Sequence, residues 1–147
     1  QVQTWEPHPD RYEAVEKVAR VSPMRFADDD IQRRLDAAAA DPEGYYGPRV
    51  QLEAPDMPTL GVHVMRLAAG ETTRSYHTNA NISFASMQGS GVTIIDGEEI
   101  HWNYGDIFVA PTWRWIEHRA NEDVQLFSMT DAPLLEFAKY LKFEGKD

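Results

Sequence analysis

The sequence predicts a mainly β protein, a small antiparallel barrel with helices before it and one helix after it. Three observations carry that expectation. Between Gly70 and Ala120, short β-rich segments alternate with Gly, Pro and Asp-Gly punctuation, as in small closed antiparallel sheets. From Thr59 onward apolar residues recur at every second position, the period of a strand with one buried face. Residues 1–45 and the tail beyond Asp131 instead carry apolar residues at helical spacing.

In the first 45 residues, Pro9-Asp10 precedes a stripe of Tyr12, Val15, Val18 and Ala19, with Glu13, Glu16 and Lys17 largely off it. A second helix is expected from Asp28-Asp29-Asp30, because acidic side chains suit the positive end of a helix. Asp29 and Gln32 have capping-box spacing, and Ile31, Leu35, Ala38 and Ala39 mark one face. The acidic triplet is better explained as a solvated helix start than as a divalent-ion site. Asp41-Pro42-Glu43-Gly44 ends this part, and Pro48, Pro55 and Pro58 punctuate an extended connection.

The barrel strands follow. Leu60, Val62 and Val64 alternate with Gly61, His63 and Met65, and further strands are expected over 74–87, 92–95, 98–103, 107–110, 113–119 and 124–129. Asp96-Gly97 signals a tight hairpin between two of them. In the tail Asp131 is placed to cap a helix, Pro133 fits its first turn, and Leu134, Leu135, Phe137, Ala138 and Leu141 form an apolar face that needs cover. The expected division is a helical segment over 1–47, a barrel over 48–130 and a C-terminal helix over 131–147, in one structural domain.

Composition removes whole classes of function. The chain has 147 residues, enough for one domain with a core. Its 24 acidic against 14 basic side chains give a formal charge of -10, which disfavours nucleic acid and anionic membranes as partners. With no cysteine, disulfides, thiolate nucleophiles and Cys-bound zinc are excluded. No apolar run is long enough to span a bilayer, and a cytoplasmic protein is expected. The chain starts at Gln1 rather than Met; loss of a leader or of an upstream domain would each give such a start.

The punctuation from Gly70 to His118 resembles the two motifs of the cupin superfamily. The first is Gly, five residues, His-x-His, a short gap, an acidic ligand, six residues and Gly. The second is Gly, five residues, Pro-x-Gly, two residues and a third His. Alternate residues on one strand share a face, so His-x-His aims two imidazoles at one interior point. Here Gly70 and Gly89 bracket the first motif, which puts Tyr76 and Thr78 at the two His positions and Ile82 at the acidic one. Gly105, Asp106 and Pro111 keep the second motif, but Trp113 replaces its second Gly and Ile116 its His. His77 falls between the paired positions, where a regular strand points it away.

Met57-Pro58-Thr59-Leu60, Gln88-Gly89-Ser90-Gly91, Gly105 to Trp113, and Leu126 to Pro133 together resemble gentisate 1,2-dioxygenase and its salicylate- and hydroxynaphthoate-cleaving relatives over roughly residues 10 to 140. That resemblance implies a cupin jelly-roll barrel, closest to the C-terminal barrel of a two-barrel enzyme. It also implies Fe(II)-dependent cleavage of a hydroxylated aromatic acid, with iron usually held by the first barrel and decayed ligands in the second. No catalytic residue is assigned and no metal is expected at Tyr76, Thr78, Ile82 and Ile116, because isoleucine has no lone pair and a neutral threonine hydroxyl is a poor iron ligand.

The candidate pocket residues are therefore Arg74, Tyr76, His77, Thr78, Ile82, Trp113, Trp115, Ile116 and His118. Arg74 is either a bidentate partner for a ligand carboxylate or one side of a surface salt bridge. Tyr76 either fills the barrel or donates its phenol, and Trp113 and Trp115 either pack or wall an aromatic ring. His118 shares the face of Ile116; a displaced metal site of His77 and His118 needs a bulge to turn His77 inward. His63 and His101 are expected at solvent or a strand edge, and Glu98, Glu99 and Asp106 in turns and on the surface. Four functions follow: a metal-free cupin with a structural or assembly role, an enzyme with a relocated metal or one in a partner domain, a module binding a small aromatic acid, and, more weakly, a sugar epimerase. A homodimer or a two-barrel assembly is expected, since exposed sheet edges and helices need cover.

Overall fold

The computed structural model describes residues 25–53 and 57–146. The stripe at Tyr12 to Ala19 and the Pro55 breaker lie outside the described residues. Helix α1 spans Asp28–Ala37, and ten strands follow: β1 (Arg49–Gln51), β2 (Gly61–Leu67), β3 (Tyr76–Thr78), β4 (Ile82–Gln88), β5 (Gly91–Ile95), β6 (Glu98–Trp102), β7 (Ile107–Ala110), β8 (Ile116–Ala120), β9 (Val124–Thr130) and β10 (Phe143–Gly145). A short helix, α2 (Ala132–Phe137), lies between β9 and β10.

The strands form two antiparallel five-stranded sheets, ordered β1-β2-β9-β4-β7 and β10-β3-β8-β5-β6. Side chains of both inner faces meet in one core that includes Met65, Tyr76, Phe84, Trp102, Ile116 and Leu126. This is the expected jelly-roll architecture, in which strand alternation sends every second residue inward.

One register line explains why β2 is covered on both faces, where one was expected. Val50, Val64, Phe127, Ala85 and Ile107 are neighbours across five strands of the first sheet, on its outer side. Ile31 and Leu35 of α1 pack on the Val50 and Val64 end of that line, so outward-facing valines are buried. The far end is open, and Ile107 and Val109 remain largely exposed. Leu60 is exposed and precedes the strand.

Turn chemistry sets the second sheet. Asp96 and Gly97 both have positive φ, 51° and 88°, the two-residue hairpin that matches strand twist. The Asp96 carboxylate accepts from Arg114 Nη1 at 2.8 Å and from Trp115 N at 2.9 Å, and Arg114 foremost holds its pKa below the usual carboxylate value. Gly91 is demanded by close approach: a Cβ there would lie 2.5 Å from the Trp102 ring and 2.6 Å from Arg119 O.

Several boundaries differ from the sequence expectation. The 74–87 segment is broken into β3 and β4, because Asn81 N and Nδ2 donate to the Asp131 carboxylate at 2.8 Å each and turn the chain. That use of Asp131 also leaves α2 without a side-chain cap. The 113–119 segment begins pairing only at Ile116, since Trp113 sits at φ 61°. Asp29 and Gln32 form no capping box: Asp29 Oδ1 accepts from Asp30 N, and Gln32 Nε2 donates to Asp28 Oδ1. Helix α1 stops at Ala37, leaving Ala39 exposed.

The tail is the largest departure. Its helix ends at Phe137 with no buried residue, and β10 then pairs with β3, setting Phe143 opposite Thr78 and Gly145 opposite Tyr76. A strand edge that needed hydrogen bonds outweighed the helical spacing of Leu134 to Leu141.

Candidate functional site

The barrel interior holds a cavity of about 270 Å³. Tyr76 and Thr78 reach it from β3, Ile82 and Phe84 from β4, and His118 from β8; residues of β1, β2, β9 and the tail close it. The alternation anticipated for the cupin motif is thus realised. Tyr76 and Thr78 face inward, and Ile116, paired directly with Tyr76, is buried beside them in the core.

Those inward positions do not fit iron. Thr78 Oγ1 donates to Lys142 O at 2.8 Å, and the same oxygen accepts from Ala80 N at 3.2 Å. Tyr76 is an aromatic filler, its ring 5.3 Å from both Tyr46 and Phe143 and 6.3 Å from Tyr45. Burial above all pushes its phenol pKa well above the ordinary value, so the phenolate that would bind a metal is disfavoured. Ile82 and Ile116 contribute no donor. Among the described residues no three His, Asp or Glu side chains converge to hold a metal ion.

His77 corrects two expectations at once. It lies on the outer face of the second sheet, stacked between Trp113 and Trp115 with 4.0 Å between ring centroids on each side. Its Nε2 is 2.8 Å from the Glu144 carboxylate of β10. There is no bulge at β3 and His77 does not turn inward, so His77 and His118 sit on opposite faces of one sheet and do not share a metal. Trp113 and Trp115 wall this histidine and not the cavity. The reason is strict alternation: one step along β3 reverses the side chain.

Arg74 is also outside. Its guanidinium donates to Glu43 O at 3.1 Å and Lys146 O at 2.8 Å and lies over the Tyr45 ring. It ties the loop before β1 to the residue that follows β10 and is not part of the cavity wall.

The cation in the cavity wall is Arg49 of β1, its guanidinium carbon 3.9 Å from the Tyr46 ring centroid. Gln51 and His63 stand beside it in the wall. His63 is therefore a lining residue and not a solvent-facing one; burial foremost, and then the Arg49 charge, lower its pKa to about 4. His101 does point to solvent, 3.3 Å from Glu99. The signal for His63 was present in the Val62-His63-Val64 alternation. Arg49 and Gln51 were hidden because β1 is only three residues long and follows Pro48.

His118 is 1% exposed. Its Nδ1 is 2.8 Å from Thr93 Oγ1, and that oxygen accepts from Trp102 Nε1 at 3.0 Å. Burial lowers its pKa to about 4, so the ring is neutral near pH 7. Its Nε2 is sealed from solvent and has no hydrogen-bond partner among the described residues. The wall thus combines an aromatic-lined apolar body with one guanidinium, Arg49, one carboxylate, Glu136, and two imidazoles, His63 and the fully buried His118.

Comparison with known proteins agrees with this reading of the fold. No protein-family model matches the chain. A 5-aminosalicylate 1,2-dioxygenase of Comamonas sp. is 34% identical over 82 residues, covering 55% of this chain and 22% of that enzyme. A 1-hydroxy-2-naphthoate 1,2-dioxygenase of Nocardioides sp. is 32% identical over 123 residues, covering 78% of this chain and 32% of that enzyme. A salicylate 1,2-dioxygenase from Pseudoaminobacter salicylatoxidans, solved in complex with gentisate, superposes with a TM-score of 0.75 at 24% identity, over 82% of this chain and 37% of that one. A cupin domain from Schizosaccharomyces pombe superposes with a TM-score of 0.54 over 62% of this chain. The chain thus spans at most about a third of the curated enzymes it matches.

Proposed function

Because this chain is a cupin barrel related to the gentisate-type ring-cleaving dioxygenases, we propose that it is an iron-free member of that architecture. On this reading it serves as a scaffold and holds a small, single-ring aromatic acid without transforming it. The observation that carries the proposal is the refilled ligand set. The family's four metal positions are taken by Tyr76, Thr78, Ile82 and Ile116, while a cavity of about 270 Å³ remains open beside them. An apolar cavity of ~150 Å³ already admits benzene, so the space suits one ring. Arg49 supplies a cation for a carboxylate at the outer end, in the role first considered for Arg74.

Ring cleavage itself belongs, in this proposal, to a partner domain. The chain matches only 22% and 32% of the two relatives, and an iron site elsewhere in such an assembly is the family's usual arrangement. The open end of the outer face at Ile107 and Val109, with Phe137 and Tyr140 exposed in the tail, supports contact with a second barrel or a second copy of this chain. No helix among the described residues is long and apolar enough to cross a membrane.

The test is direct. Protein exposed to Fe(II) without oxygen and then desalted should retain far less than one iron per chain, and should show no gentisate-dependent oxygen uptake. Benzoate should alter the fluorescence of Trp102, the tryptophan linked to His118 inside the barrel. Stoichiometric iron or turnover by this chain alone overturns the iron-free reading, and an unresponsive Trp102 overturns the binding role.

A further inference from the structure

The unpaired nitrogen of His118 has a defined chemical sense that follows from its neighbours. An indole N–H is a donor with no acceptor capacity, so in the Trp102–Thr93 contact of 3.0 Å the hydroxyl oxygen of Thr93 must accept. Thr93 is fully buried, with His118 Nδ1 at 2.8 Å as the neighbour open to its hydroxyl proton. Its oxygen could also accept a second N–H, but that arrangement would strand the Thr93 proton in addition to His118 Nε2, so the arrangement with fewer unmet groups places the lone pair on Nδ1. A neutral imidazole with an acceptor at Nδ1 has its proton on Nε2.

Nε2 is thus an N–H donor, buried and without a partner among the described residues. Leaving such a donor unmet carries the desolvation penalty of the group with nothing to offset it. Phe84 stands edge-on to the ring at 4.8 Å and offers no oxygen. His118 belongs to the cavity wall; a ligand that seats against the ring and uncovers Nε2 by a small shift of the neighbouring Phe84 is the available source of an acceptor.

Resting on the aromatic-acid reading above, we propose that His118 is the residue that sets ligand specificity. Held as the Nε2–H tautomer by the Trp102–Thr93 relay, it donates to an oxygen on the ring of an aryl carboxylate whose carboxylate faces Arg49. The ligand class narrows to single-ring acids bearing a hydroxyl or carbonyl oxygen away from the carboxylate. Alkyl-substituted acids of the same shape leave the donor unpaired and bind more weakly. Sites that hydrogen-bond a substrate group discriminate against analogues lacking it more strongly than apolar pockets do. The same tautomer turns an N–H, and not a lone pair, toward the cavity, so His118 does not serve as a metal ligand in this state.

The test has a ligand-free arm and a ligand arm. Nitrogen-15 NMR of the intact chain should find His118 neutral and protonated at Nε2 at pH 7, and Thr93→Val should remove that preference. By calorimetry, 4-hydroxybenzoate should bind about tenfold more tightly than the near-isosteric 4-methylbenzoate, a difference on the scale of one hydrogen bond. His118→Phe should bring the two affinities together. Thr93→Val should narrow the gap, which keeps the comparison available if the phenylalanine variant does not fold. A proton found on Nδ1 overturns the proposal whatever binds. Equal affinities for the two acids overturn His118 as the selector while the binding role stands. If neither acid nor benzoate binds, the aromatic-acid reading fails and this one with it.

Discussion

The inner and outer faces of the second sheet use one stretch of chain for opposite ends. On the inner face of β3 and β8, Tyr76, Thr78, Ile116 and His118 are each 6% exposed or less. On the outer face His77, one residue removed, is clamped by two indoles and a carboxylate. The inner face packs Tyr76 and Ile116 into the core and sets the neutral His118 imidazole beside them. The outer face has gathered polar and aromatic groups that bind the tail, through Glu144 of β10. A histidine one step out of register is not a weakened ligand; it belongs to a different surface.

That contrast can be tested by mutation and by pH. Removing the filler from the inner face should cost most. Tyr76→Ala leaves a void among Tyr45, Tyr46 and Phe143, and losses of about 3–5 kcal/mol are typical for a buried large aromatic. Urea unfolding should register that loss; a change under 1 kcal/mol would mean that Tyr76 is held for function and not for packing.

The imidazoles of the cavity wall should make stability depend on pH. His118 has a folded pKa of about 4 against an unfolded value of 6.5. Between those values the unfolded chain binds the additional proton, so stability is complete above pH 6.5 and falls as pH drops toward 4. At 1.36 kcal/mol per pH unit the loss is about 3 kcal/mol. His63 contributes in the same direction. Unfolding curves at pH 7 and pH 4.5 should therefore differ more for the native chain than for His118→Phe, and parallel curves would contradict a neutral buried His118.

The smallest effect belongs to the outer face. Trp113 occupies the second motif's glycine position and keeps the left-handed backbone there, at φ 61°, a conformation that costs a non-glycine residue about 1–2 kcal/mol. Its stack on His77 offsets part of that cost, at about 0.5–1.5 kcal/mol for an aromatic pair. Trp113→Ala loses the stack and retains the strain, whereas Trp113→Gly loses the stack and relieves it. The glycine variant should be the more stable of the two by about 1 kcal/mol in thermal unfolding. Ligand affinity should be unchanged in both, because neither touches the cavity wall.

Much of the molecule was legible in the sequence because it depends on local periods. Strand alternation told which of Tyr76, His77 and Thr78 face the interior. Asp96-Gly97 specified its hairpin, and Ile31 and Leu35 specified the buried stripe of α1. The isoleucines at the third and fourth ligand positions are legible in the sequence as residues with no lone pair to offer a metal.

Other features depended on contacts distant in the chain, which no local period encodes. Residues 143–145 have too little sequence of their own to read as a strand, and pairing with β3 makes them one. Arg49 replaced Arg74 as the cavity's cation because β1 folds back along β2 and presents Arg49 and Gln51 inward. The tautomer of His118 is fixed by Thr93, 25 residues away, and Thr93 in turn by Trp102. Side-chain period sets which face a residue takes. What that face meets, and so which proton a buried histidine keeps, is settled when strands far apart in sequence are brought within hydrogen-bonding distance.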